Sequence, residues 1–265
     1  MKALFMRKLL ATSLLISITL YGTGNAQFVL VDDFNSLTTG GINGQNGWVS
    51  DTATFDVIDS SPASPTDQAL QNGSANTFAS VGTSAITQGN TGTLYFRLNA
   101  SDFASGQSIG LSDTVPTVQS GAFDTYRPHI AFNGTGDFLV RDGGGFSTVT
   151  NVSLATNTWY DFWMVANNSS ETWELYVQGG SITTQTQVAV GATTTFGFRN
   201  TTNADLDSFL MVRGGGGNGD TVAVDDIYLD NSSINLANPI PEPSSYALLG
   251  IAAFALMFLR KRSKQ

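Results

Sequence analysis

The 265-residue chain has no cysteine. In an exported protein this excludes a disulfide framework and leaves stability to a packed core. Between residues 27 and 240 there is no lysine either, and His129 is the sole histidine. That middle stretch holds five basic residues, Arg97, Arg127, Arg141, Arg199 and Arg213, against twenty acidic ones, a formal balance of −15. Such a surface repels phosphate backbones and anionic lipid and attracts cations, so no nucleic-acid partner is expected. Helical periodicity is missing from 27–233. The glycine runs 213–219 and 142–145 lack the Lys-Ser or Lys-Thr of a phosphate loop and read as strand connections able to border a ligand groove.

What the middle does have is short β-rich runs. FVLVDDF (28–34), GTLYFRLN (92–99), TWYDFWMVAN (158–167), TWELYVQ (172–178), TTFGFRN (194–200) and TVAVDDIYLD (221–230) are among eleven such stretches, punctuated by Asn-Gly, Asp-Gly and Gly-Gly turns. This spacing predicts an all-β, antiparallel β-sandwich or jelly roll over 27–233. The strongest local feature is a hairpin turning at Asn167 to Ser170. On its first strand Trp159, Asp161, Trp163 and Val165 share one face, and Tyr160, Phe162 and Met164 the other. Both faces are bulky, which predicts a central strand. The pairing of Trp159-Tyr160-x-Phe162-Trp163 with Trp173-x-Leu175-Tyr176-Val177 resembles the concanavalin A-like lectin/glucanase and laminin-G-like group, and that resemblance implies their β-sandwich.

The two ends differ from the middle. Lys2, Arg7 and Lys8 precede an apolar stretch from Leu9 to Tyr21 and a small-x-small site at Gly24-Asn25-Ala26. This predicts a signal peptide over 1–26, cut before Gln27. At the other end a linker at 234–240 is followed by Pro241-Glu242-Pro243, fourteen apolar residues from Tyr246 to Leu259, and Arg260, Lys261 and Arg262. A transmembrane helix at about 245–260 is expected, its basic end in the cytoplasm. The order Pro-Glu-Pro, apolar helix, basic end resembles the PEP-CTERM sorting signal of Gram-negative bacteria. The resemblance implies processing by exosortase, a membrane-embedded cysteine transpeptidase. It also implies export through the inner membrane to the cell envelope, cell surface or extracellular matrix, in the company of exopolysaccharide.

Candidate site residues are few. Asp32-Asp33 and Asp225-Asp226 lie on the first and last strands, which are expected to pair; four adjacent carboxylates suit a structural Ca²⁺. Trp48 is a candidate platform for a sugar ring, with closing one end of the core as the alternative. Arg127 and His129, on one strand face, are candidates for the uronate anchor and base of a lyase, or else an ion-paired Arg and a polar strand residue. Glu171 and Glu174 fall on opposite faces and make a poor acid/nucleophile pair. The leading expectation is a non-catalytic glycan- or matrix-binding module. The alternatives are a polysaccharide lyase or glycoside hydrolase, and a structural spacer.

Overall fold

Seventeen β-strands, the longer of them rich in apolar and β-branched residues, form among the residues described by the computed structural model, which are 27–51, 55–59, 67–72, 76–103, 106–133, 137–214 and 221–240. In chain order they are β1 (Val29–Asp32), β2 (Gly40–Gly41), β3 (Val49–Ser50), β4 (Phe55–Asp59), β5 (Gln68–Asn72), β6 (Thr77–Ile86), β7 (Thr91–Ala100) and β8 (Gln107–Ser112). After a single helical turn, α1 (Gln119–Ala122), come β9 (Tyr126–Phe132), β10 (Phe138–Asp142), β11 (Gly145–Thr148), β12 (Tyr160–Asn167) and β13 (Thr172–Gly179). The last four are β14 (Ile182–Gln187), β15 (Phe196–Gly197), β16 (Leu206–Arg213) and β17 (Val222–Asp230). The expected signal peptide, and the tail from Pro241 with its expected membrane helix, lie outside the described residues. Among the described residues no helix is long and apolar enough to cross a membrane.

Every strand pairing is antiparallel. The larger sheet runs β14-β13-β12-β7-β17-β5-β4-β2, with β1 added to β17 and β15 to β13. The smaller runs β11-β10-β9-β8-β16-β6-β3. Their inner faces enclose one large core in which Phe96 stacks on Phe162 at 5.3 Å and Phe209 meets Phe96 edge-on at 6.1 Å. Each such ring contributes about 1.5–3 kcal/mol by leaving water. The expected hairpin is present: β12 pairs β13 from Asp161↔Gln178 to Asn167↔Thr172, and the Asn167 carboxamide oxygen accepts the amides of Ser169 and Ser170 at the turn. β12 lies between β13 and β7, as its two bulky faces predicted. Tyr160, Phe162 and Met164 enter the core, while Trp163 packs edge-on to Tyr95 on the outer face, 5.2 Å between ring centres.

The chain ends meet as expected, with Leu30 opposite Tyr228 and Asp32 opposite Ile227 across a bulge. Two expectations are corrected. The run 194–200 contributes only the two-residue β15. Residues 234–240, expected as a linker, begin as a strap that is hydrogen-bonded to the outer face of the larger sheet as far as Ala237. Trp163 Nε1 donates to the Ala237 carbonyl (2.9 Å), Gln185 Nε2 to Leu236 (3.0 Å) and Thr93 Oγ1 to Ser233 (2.9 Å), while the Asn235 amide donates back to Thr93 Oγ1 (3.0 Å). The buried Asp230 carboxylate turns the chain into this strap by accepting from the Ser232 amide and Asn235 Nδ2. Backbone carbonyls with such partners dock at little desolvation cost, which a polar sequence alone does not reveal.

Candidate binding groove

The described residues cover the outer face of the smaller sheet only in part. Residues 119–125 cross it and bury a second apolar cluster of Phe78, Ala122, Tyr126, Leu210 and Val212. The Tyr126 hydroxyl donates to the Ser108 carbonyl at 2.7 Å and lies 3.0 Å from that of Leu210, anchoring the crossing. Beside it a groove of about 480 Å³ remains open. Small residues line it, Gly106, Ser108, Ala131 and Gly214, together with Val212 and Leu139; Phe123 and Phe146 add aromatic surface and Asn133 a polar edge. Phe146 is 39% exposed. Gly214 opens the glycine run that the sequence placed beside a possible groove.

Each aromatic is held by a guanidinium. The Arg199 group lies 4.1 Å from the Phe123 ring centre and its Nη2 pairs with Asp124 at 2.6 Å. The Arg141 group lies 4.9 Å from the Phe146 ring centre, its Nε donating to the Gly143 carbonyl and its Nη2 to that of Gly144. Such cation–π contacts fix the rings without blocking both of their faces.

His129 and Arg127 do not form an open catalytic pair. In β9 Tyr126 faces Ser112 and His129 faces Gly110, so Arg127 and Pro128 together oppose one residue of β8. Proline has no N–H for the ladder and is accommodated at such a bulge. The bulge breaks the alternation on which a shared face of Arg127 and His129 depended. It also lets His129 stack on Tyr126, 4.4 Å between ring centres, with Phe123 and Phe146 edge-on. His129 is fully buried. Burial pushes its imidazole down to about 3, opposed in part by the Arg127 carbonyl and reinforced by Arg141 and Arg199. Arg127 forms an ion pair with Asp113, whose carboxylate also accepts from Thr202 Oγ1.

Trp48 is corrected from a sugar platform to a core residue. It is 1% exposed, 5.6 Å from Phe34 and 6.1 Å from Phe209, and its indole N–H donates to Asp32 Oδ2 at 2.8 Å. Each of the four aspartates has a protein partner. Asp32 accepts from Trp48, Asn46 Nδ2 and the Phe34 amide; Asp33 accepts the Asn35 amide. Asp225 is fully buried and accepts the Asp226 amide, while Asp226 itself pairs with Arg97 at 3.4 Å. Burial raises the Asp226 carboxyl; Arg97 opposes the shift, and Asp67 and Asp33 add to it. Among the described residues no three such side chains form a metal-binding group. Glu171 accepts the Thr202 amide and Glu174 accepts from Tyr176 and Gln187. Phe123, Phe146 and Ala131 were not singled out in the sequence, because nothing in their neighbours distinguishes an outer groove from a packed face.

Residues 239–262 match the PEP-CTERM protein-sorting motif, which marks an exported, envelope-associated bacterial protein and implies processing by exosortase. No curated protein matches the chain. Among solved structures, the catalytic domain of a glycoside hydrolase family 131 protein from Coprinopsis cinerea is similar, with TM-score 0.52 and 10% identity, covering 82% of this chain and 98% of that one. Lectin I-B4 from Griffonia simplicifolia, in its metal-free form, aligns with TM-score 0.45 and 7% identity over 71% of this chain and 94% of its own. The fold is the concanavalin A-like β-sandwich that the hairpin residues resembled.

Proposed function

We propose that the protein is a non-catalytic, surface- or matrix-targeted module that binds polysaccharide in the groove on its smaller sheet. The observation that carries this reading is the exposed Phe146 ring beside a lining of Gly106, Ser108, Ala131 and Gly214. A pyranose presents a C–H face that packs on an aromatic ring, and small lining residues leave room for its thickness. The described groove lining is glycine, serine, alanine, valine, leucine, phenylalanine and asparagine, none of which is a general acid or base. That composition favours binding over hydrolysis or elimination. A carbohydrate ligand also accords with a fold shared with a glycoside hydrolase domain, although fold alone does not assign chemistry.

All seventeen strands and both apolar clusters lie within 27–240, so this segment is suited to a direct test. Affinity electrophoresis through gels containing acidic or neutral polysaccharides should show retarded migration with the polymer intact. Phe146→Ala should restore free migration. A cleared zone in the polymer would replace this reading with an enzyme. Free migration in every gel would favour a spacer.

A further inference from the structure

The first and last described residues of the chain, next to its two apolar stretches, lie at one place on the sandwich. Gln27 and Phe28, next to the expected cleavage site, line a groove of about 510 Å³ together with Tyr228, Ile234, Ala237 and Pro239. Leu30 extends the same surface, since it lies opposite Tyr228. Leu30 and Ile234 are 45% and 64% exposed. Of the other exposed large hydrophobic residues described, Val118 and Phe146 belong to the side of the smaller sheet, and Val29 lies opposite Leu229, on the other face of β1 from Leu30.

The strap makes this placement restrictive. Its bonds to Thr93, Trp163 and Gln185 fix the chain on the sheet as far as Ala237. Eight residues, 238–245, then separate Ala237 from the apolar stretch beginning at Tyr246. Fully extended, nine Cα steps of at most about 3.6 Å reach about 32 Å. A domain of roughly 210 residues has a radius of gyration of about 17 Å, hence a diameter of about 40 Å. With the strap docked, the tether is too short to bring the opposite sheet to the membrane.

We propose that the outer face of the larger sheet around Phe28, Leu30 and Ile234 lies against the bilayer surface while the tail holds the chain in the membrane. This rests on the reading of residues 246–259 as a membrane-inserted stretch, and is independent of what the other groove binds. Apolar side chains at the headgroup boundary gain from leaving water. The domain's net negative charge works against anionic lipid, so the fitting partner is a zwitterionic lipid surface. The groove at Phe146 then faces away from the membrane, open to ligand.

The absence of cysteine supplies the test, because any introduced cysteine is a unique label site. Leu30→Cys, Ile234→Cys and Val118→Cys would be made in the full chain, labelled with a fluorophore and reconstituted into phosphatidylcholine vesicles carrying a headgroup nitroxide lipid. Alkali extraction would first remove chains that are not inserted. In the retained chains, quenching at positions 30 and 234 should exceed that at 118 several-fold. Equal quenching at all three positions would overturn the proposal while leaving the inserted tail intact. Extraction of the whole population by alkali would instead remove its premise. Shielding of 30 and 234 that grows with the protein-to-lipid ratio, without nitroxide quenching, would overturn it in favour of a second copy on this face.

Discussion

Trp48 and Asp32 are partners: the indole N–H of one donates to the carboxylate of the other at 2.8 Å, inside the turn that closes one end of the core. The same carboxylate accepts Asn46 and the Phe34 amide. Asp32→Ala would strand the buried indole and amide donors and should lower stability by about 1–3 kcal/mol, read from urea unfolding of 27–240. Because the four aspartates are separately engaged, chelator is expected to leave the melting temperature unchanged. A chelator-dependent drop would point to a cation held by other residues.

The bulge in β9 depends on Gly110. A Cβ there would lie 2.1 Å from the Pro128 carbonyl oxygen and 2.7 Å from the His129 Cα. Since both neighbours are backbone, neither can swing aside. Gly110→Ala should cost at least about 3 kcal/mol, in the range of severe core strain, whereas Gly144→Ala, with nothing within 4 Å, should be close to neutral in the same unfolding experiment.

His129 should make the fold acid-sensitive. Its folded value of about 3 lies below the ordinary 6.5, so between these values the unfolded chain binds the extra proton and stability falls as pH falls. Asp161 and Asp226 act in the opposite sense. Burial raises both, against the Tyr95 hydrogen bond and Arg97 at Asp161 and against Arg97 at Asp226. Protonation therefore relieves them, and they offset part of the loss in the window above 3.8. Urea midpoints from pH 7 down to 5 should decline in the native sequence and stay flatter in His129→Phe, whose ring suits the surrounding aromatic cage.

The groove and the strap can be separated by mutation. Ala131→Phe places a ring in the groove from a position on the outer face and should abolish polysaccharide retardation with little change in melting temperature. Thr93→Val removes a hydroxyl that both donates to Ser233 and accepts from Asn235. It should leave the groove competent but let protease cut within 231–240 several-fold faster, because the strap would lose two of its hydrogen bonds.

Much of the architecture is local enough to be read from residues in order. β7, β12, β13 and β17 combine bulky apolar residues with alternation, and the hairpin carries its own turn, so strand identity, the central place of β12 and the meeting of the chain ends follow from pattern. The polar strands β5 (QALQN) and β14 (ITTQTQ) do not stand out, because the ladder and the neighbouring strand stabilise them, not their own side chains. β15 shows the converse: a seven-residue run expected as a strand yields two residues that pair.

The sequence by itself determined that the chain holds an acidic all-β domain followed by a sorting motif, since charge, periodicity and the motif are properties of consecutive residues. Only the tertiary structure decided that Trp48 and Asp32 bind each other, that His129 is sealed among rings, that a linker-like segment is a strap, and that Phe123 and Phe146 face a common groove. Each of these depends on contacts between residues far apart in the chain. Whether a Trp or an Asp meets solvent, a ligand or a partner is set by what the fold places against it.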